Sequence, residues 1–417
     1  VSAATTPRER PARPGPREQI ATLVGLLDRP LTSYYLLLGC TFMLLALGLT
    51  MVLSASTVEQ LQATGSPYTL VQKQVLWVAV GLAAMWAASR MPVKVFRTFA
   101  YPLLLLSYVL LLLVLVLGVE VNGAVRWIHL GPLQLQPSEP AKLALVLWGA
   151  DLLARKDRLG QLNEWRPLLM PLLPAAGLLV LLVMLGDDLG TTLVLLTIFL
   201  TLLWVVGAPA RLFAGVLGIV GLLVSILIVV APYRMERVTG FLDTSEQHAQ
   251  GINYQTTQGL YALASGGWFG TGLGEGRAQW GFLPHPETDF IFAIVGEQLG
   301  LVGTLVVLGL FGLLAYAGLR VARRVKDPFT RLVAAAGTAW LLVQAIVNIG
   351  AVIRVVPVTG IPLPLVSYGG SSLIPTLFTL GMLLSFAKRE PGARQALAAR
   401  GPGPASRALS WLGLARR

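Results

Sequence analysis

The chain has 417 residues, of which 55% are hydrophobic and only 12% charged, and its mean hydropathy is +0.71. A soluble domain carries about 25% charged residues, so this composition excludes one and points to a polytopic membrane protein. The net charge of +12 reads as membrane topology and contact with anionic lipid, with no nucleic acid implied.

A helix needs about 20 apolar residues to cross the roughly 30 Å hydrocarbon core. Such runs lie near 33–55, 71–90, 98–118, 139–154, 168–186, 189–207, 211–231, 288–319, 330–353 and 371–387. Lipid offers backbone groups no partner, so every span should be helical. The expected fold is all-α: about ten transmembrane helices, with a large extracytoplasmic loop, 232–287, between helices 7 and 8.

Lys and Arg crowd one set of connections, which places both termini in the cytoplasm. Residues 1–30 read as a disordered basic cytoplasmic tail, 31–388 as the transmembrane domain and 389–417 as a second basic tail. The first apolar run has full spanning length and no small-residue cleavage site, so it reads as a span. The lone cysteine, Cys40, lies inside it and can form no internal disulfide.

Residues 56–70 read as an external loop with little beyond punctuation. After the third span the sequence turns polar, with Asn122-Gly-Ala-Val-Arg126-Trp-Ile-His-Leu-Gly131 and then Gln136-Pro-Ser-Glu139-Pro-Ala-Lys142. Ser138 is a candidate N-cap, Pro140 suits a first turn, and Glu139 complements the positive helix end. Glu139 and Lys142 are three apart and share a face. Capping does not require a lysine one turn into a span, where a charge costs about 2.5–3.5 kcal/mol at the helix centre, so Lys142 points to a polar cavity.

Gly186-Asp-Asp-Leu-Gly-Thr-Thr192 places two acids in a tight turn, either as an N-cap from Asp187 or Asp188 or as a metal or substrate contact. In the long loop, Arg234 and Arg237 either snorkel to headgroups or grip a pyrophosphate by forked hydrogen bonds. The run from Tyr254 to Gly274 holds Gln258, a candidate substrate contact, and many glycines. No strand precedes them and no GK[ST] follows, which weighs against a nucleotide loop. Tight re-entrant turns and close backbone approach to a ligand are expected instead. Trp268, Phe269, Trp280 and Phe282 would sit at the interface.

Pro284 and Pro286 stiffen the chain ahead of Asp289, which opens the eighth span either as its cap or as a working carboxylate. Glu297 lies about two turns deeper and needs a partner. The segment 357–372 holds three prolines and three glycines and cannot be regular helix, so it must be buried in protein or line a watery cavity. It should form a wall of the site, with Ser367 as a candidate substrate contact and Gln344 and Asn348 facing the interior.

NGAVRWIHLG, QPSEPAK, DLGTT, YALASGGWFGTGLG, LPHPETDFIFAIVGEQLG and PVTGIPLPLVSYGGSS, in this order and spacing, resemble the SEDS family of FtsW, RodA and SpoVE proteins. The resemblance covers about 33–388, and GWFGTGLG with the basic tails is most similar to the division branch. It implies a peptidoglycan glycosyltransferase that polymerises lipid II outside the cytoplasmic (inner) membrane, with a class B penicillin-binding protein and other divisome proteins as partners. It carries the family's essential aspartate onto Asp289 and its Glu and Lys at the fourth span onto Glu139 and Lys142. The chain departs from the family pattern at Glu287 for His, Asp187 for Pro and Leu365 for Phe.

The implied chemistry has a physical rationale. Joining a sugar hydroxyl to an anomeric carbon that bears a lipid pyrophosphate needs a base near the hydroxyl and positive charge near the leaving group. Asp289 is the candidate base, and Arg126, Lys142, Arg234 and Arg237 are the candidate cations, with Glu139 orienting Lys142. No dedicated metal-ligand cluster is legible and no cofactor is assigned, which leaves a divalent cation open. The rival classes are a lipid II flippase, which also wants charges inside a bundle, and a non-catalytic division scaffold, which leaves Asp289 unexplained.

Overall fold

A computed structural model describes residues 29–121, 124–130, 133–230, 253–284, 286–393 and 395–396. Among these residues each of the ten expected runs is helical: α1 Thr32–Thr64, α2 Thr69–Arg90, α3 Val93–Leu117, α4 Ser138–Arg158, α6 Leu172–Leu185, α7 Leu189–Val206, α8 Ala210–Val230, α10 Ile291–Arg324, α11 Pro328–Val352 and α12 Gly370–Ala387. A short α5, Trp165–Leu169, precedes α6, and α9, Tyr254–Ser265, lies in the long loop. Among the described residues eight helical stretches are long and apolar enough to cross a membrane.

α4 is not among the eight, yet it is the most enclosed helix. Residues 141–154 are buried without a break, with α3, α7 and α11 packed around them. A helix walled by other helices can carry charge that lipid would refuse, provided each charge meets a partner. Asp151 meets Arg155 at 2.7 Å and Arg97 at 3.8 Å.

Two local expectations are corrected, and one further element appears that was not anticipated. The loop expected at 56–70 is shorter, because α1 runs on to Thr64 and ends at Gly65, whose φ of 72° makes a left-handed cap. Ser138 is not the N-cap of α4: Pro137 stands there with helical φ and ψ of −61° and −23°, so Ser138 lies inside the first turn and bonds no backbone N–H. The stretch between α3 and α4 is a three-stranded antiparallel sheet in the order β1 Val119–Val121, β2 Ala124–Leu130, β3 Leu133–Leu135.

That sheet sets a direction. Alternate side chains of a strand share a face, so Arg126 lies on the face of Ala124 and Ile128, both buried. The sheet is fastened by Val125 N–H donating to Gly186 O at 3.1 Å. A Cβ at Gly186 would lie 2.7 Å from Val125 O, so glycine is what admits the strand.

α10 is broken at Gly300, whose φ of 66° and ψ of −164° are closed to other residues at low cost. The gap is filled by the glycine-rich stretch after α9. Thr271 and Gly272 N–H donate to Glu297 and Gln298 O at 2.9 and 3.2 Å, while Leu301 and Val302 N–H donate to Gly267 and Trp268 O at 2.9 and 3.2 Å. Gly266 and Gly270 of this stretch, and Gly300 opposite them, approach this chain's own backbone, a close approach that the sequence reading had assigned to a ligand. Glu297 belongs to the same seam, its carboxylate accepting from Arg277 N–H at 2.7 Å and Ala278 N–H at 3.2 Å.

Candidate active site

At the end of the bundle where α4, α7, α10 and α12 begin and α11 stops, a continuous polar path runs from the middle of the protein to Asp289. It starts at Lys142, whose Nζ donates to Glu139 Oε1 at 2.8 Å and to Gln344 Oε1 at 3.1 Å and sits 5.2 Å from the Trp340 ring centroid. Glu139 and Lys142 are each 1% exposed. So deep a lysine touches no bulk water, and its bonding capacity goes to holding neighbours.

Gln344 carries the path outward, donating from Nε2 to Pro362 O at 3.2 Å while Trp340 Nε1 donates to its oxygen at 2.8 Å. One turn on, Asn348 Nδ2 donates to Ile361 O and to Asp289 O, both at 2.8 Å. The 357–369 stretch then clamps the segment that carries the carboxylate. Ser367 Oγ donates to Thr288 O at 2.6 Å and accepts from Leu363 N–H at 2.8 Å, and Tyr368 N–H donates to Glu287 O at 2.9 Å. Three successive carbonyls, of Glu287, Thr288 and Asp289, are thus each held by a different donor. The wall expected from the prolines and glycines is present, and so is the inward face of Gln344 and Asn348.

Asp289 itself is half-buried, and the N-cap position of α10 is Phe290. Its carboxylate shares a niche with the half-buried Arg126 at Gly360. A Cβ there would lie 3.1 Å from Arg126 Nη1 and 3.7 Å from Asp289 Oδ2, and Gly360 has a φ of 70°. A cavity of about 10 Å³ lies beside Arg126, Ser138 and Asp188, the size that holds one water. Arg126 Nε, Ser138 Oγ and Glu139 Oε2 are buried there or nearby with no hydrogen-bond partner among the described residues.

Asp188 is the N-cap of α7. Its oxygens accept from Thr191 N–H at 3.0 Å, Thr191 Oγ1 at 2.8 Å and Gln136 Nε2 at 3.2 Å, so it fixes the approach to α4. Among the described residues no group of three or more His, Cys, Asp or Glu could hold a metal ion.

The structure brings together Asp289, Arg126, Glu139, Lys142 and Ser367. Gln258 lies half-buried on α9 and, among the described residues, makes no hydrogen bond to that path. Arg234 and Arg237, and the interfacial helix considered around them, lie outside the described residues. Sequence reasoning missed Gln74, whose Nε2 donates to Ser367 O at 3.3 Å and whose Oε1 accepts from Gly369 N–H at 3.4 Å. A glutamine inside an apolar run was the available signal. Trp340 and Gly360 had none, since tryptophan and glycine are common in spans.

A bundle of membrane-length helices with a polar path ending in a half-buried carboxylate and a guanidinium defines a multi-pass membrane protein with a candidate site at one end of its helices. The family profile described as cell cycle protein, for FtsW, RodA and SpoVE, matches residues 34–391, and the chain belongs to that family. Over 401 residues it is 44% identical to the "Probable peptidoglycan glycosyltransferase FtsW" of Mycobacterium tuberculosis, covering 96% of this chain and 76% of that protein. The stage V sporulation protein E of Bacillus subtilis is 37% identical over 85% of this chain and 96% of its own. A solved structure concerning polymerization and crosslinking by a peptidoglycan synthase complex superposes with a TM-score of 0.70 at 33% identity, covering 85% of this chain and 97% of that one. The rod shape determining protein RodA of Thermus thermophilus gives 0.61 at 31% identity, covering 85% and 96%.

Proposed function

We propose that the chain is a peptidoglycan glycosyltransferase that polymerises lipid II into glycan strands at the outer face of the cytoplasmic membrane during cell division, with Asp289 as the general base. The name of the Mycobacterium tuberculosis relative supports the activity, and the family's description as cell cycle protein supports the division role. What carries the assignment of the base is the clamped Glu287–Asp289 segment, which fixes a half-buried carboxylate beside Arg126 at Gly360.

In this scheme the Asp289 carboxylate takes the proton from the acceptor sugar hydroxyl as the hydroxyl oxygen attacks the anomeric carbon. The pyrophosphate-linked lipid leaves from the opposite side, so the reaction inverts without a covalent enzyme intermediate. Arg126 supplies positive charge and a planar fork for the phosphates, and Arg234 and Arg237 are assigned the same task. Lys142 and Glu139 act from behind: the buried pair holds Gln344, Gln344 holds the Pro362 carbonyl, and the loop holds Asp289. Ser367 serves through the Thr288 carbonyl. Gln258 is assigned to the mouth of the site.

A class B penicillin-binding protein and other divisome proteins are the proposed partners. The distribution of Lys and Arg supports two cytoplasmic termini in the inner membrane, with tails at 1–30 and 389–417 flanking the 31–388 domain. A flippase would use the same buried pair, so the deciding experiment gives purified protein, with its penicillin-binding partner, lipid II first in detergent and then in vesicles. Glycan polymer in detergent is the expected product. Transbilayer movement of lipid II without polymer would replace the transferase by a transporter.

A further inference from the structure

A cleft of about 470 Å³ lies at the end of the molecule remote from Asp289 and is not used by the sugar transfer. It forms where α3 starts, the α10–α11 turn passes and α12 ends, and its charged lining is Lys94, Arg97, Lys326, Asp327 and Arg389. α10 spans the distance between the two places, since its 34 residues start just after Asp289 and finish at Arg324.

The single acid of this lining is already committed. Asp327 caps α11, accepting from Thr330 N–H at 3.1 Å and Thr330 Oγ1 at 2.5 Å, and it meets Arg97 at 3.0 Å and Arg158 at 3.6 Å. Burial pushes its carboxyl up, but the Thr330 hydrogen bonds and the two arginines together hold it below the usual carboxylate range. Lys94, Lys326 and Arg389 are exposed and pair with no acid among the described residues. Three uncompensated cations around a concavity attract an anion more strongly than the same charges spread over a convex face.

Residues 394–417 do not fit, because they hold five arginines and no acid. A phospholipid does. Helix ends lie at headgroup level, and from Lys94 a stripe at helical spacing runs along α3 through Tyr101, Leu105 and Leu112, which are 43%, 66% and 54% exposed. We propose that this cleft binds the phosphate headgroup of an anionic phospholipid, in the leaflet opposite the sugar-transfer site, with its acyl chains along that stripe.

Native mass spectrometry of the full chain in detergent, with added phosphatidylglycerol or phosphatidylcholine, tests this. Retained phosphatidylglycerol adducts that excess inorganic phosphate does not displace are expected, with phosphatidylcholine adducts much weaker. The triple variant Lys94→Gln, Lys326→Gln, Arg389→Gln should lose about 100-fold in phosphatidylglycerol affinity while its melting temperature in detergent holds. The Lys94→Arg, Lys326→Arg variant should bind as wild type does. Equal adducts in the triple variant, or equal adducts of the two lipids, would overturn the proposal. Displacement by inorganic phosphate would make the cleft a soluble-anion site and overturn its lipid assignment.

Discussion

Lys142→Met is expected to destabilise the protein by about 3–5 kcal/mol, the usual consequence of removing one partner of a buried ion pair. Glu139 is 1% exposed, its Oε2 has no hydrogen-bond partner among the described residues, and its Oε1 bonds Lys142 at 2.8 Å. Without the lysine the buried carboxylate would lose its one ion-pair partner among the described residues. Glu139→Gln combined with Lys142→Met removes both charges and should recover most of the loss, since buried pairs are often replaced by neutral groups at little cost. Thermal unfolding in detergent of the single and double variants measures this. A Lys142→Met protein as stable as wild type would show that the pair does not hold the bundle, and its link through Gln344 to the loop would lose its energetic basis.

Gly270→Ala should be as damaging from a different cause. The position has a φ of 82°, and a Cβ there would lie 2.1 Å from Gln298 O and 2.3 Å from Gln298 C. The backbone conformation alone costs a non-glycine residue about 1–3 kcal/mol, and the overlap falls on backbone that cannot swing aside. Moving it would pull the loop off the broken turn of α10, whose freed carbonyls the loop satisfies. Gly309→Ala is the matched control on the same helix, because a Cβ there meets nothing within 4 Å; it should be neutral or gain roughly 0.5–1 kcal/mol. Equal melting temperatures for Gly270→Ala and wild type would contradict the seam.

Nine of the ten helical runs were legible because lipid imposes one solution on a long apolar run. α4 was legible for the opposite reason, the charges at Glu139 and Lys142 that no lipid-facing helix would carry. What local sequence could not give was anything set by a distant partner. Val-Arg-Trp-Ile-His reads equally as loop or strand until Gly186 offers it a docking edge. Ser138 has the chemistry of an N-cap, but Pro137 takes the helical conformation first and leaves the hydroxyl inside the turn. The glycines after α9 invited a ligand only because the break at Gly300, thirty residues on, is invisible without coordinates. Ser367 was picked out as a polar group near the site, and its hydroxyl is engaged by two backbone groups. Asp289 needed no partner to be noticed, since a carboxylate at the mouth of a span is costly wherever it points. Its setting beside Arg126 came from the strand alternation of β2 and the absence of a side chain at Gly360.

The most direct test of the account is the turnover of Asp289→Asn, with lipid II, in complex with the penicillin-binding partner. Asparagine keeps the size and hydrogen-bonding shape of the side chain and removes its basicity, so complex formation and melting temperature should match wild type. Polymerisation should fall by about 10²–10⁴-fold, the range general-base catalysis supplies. Polymer produced at a rate within a few-fold of wild type by the folded variant would contradict a base at this position and the reason given for the clamp around it.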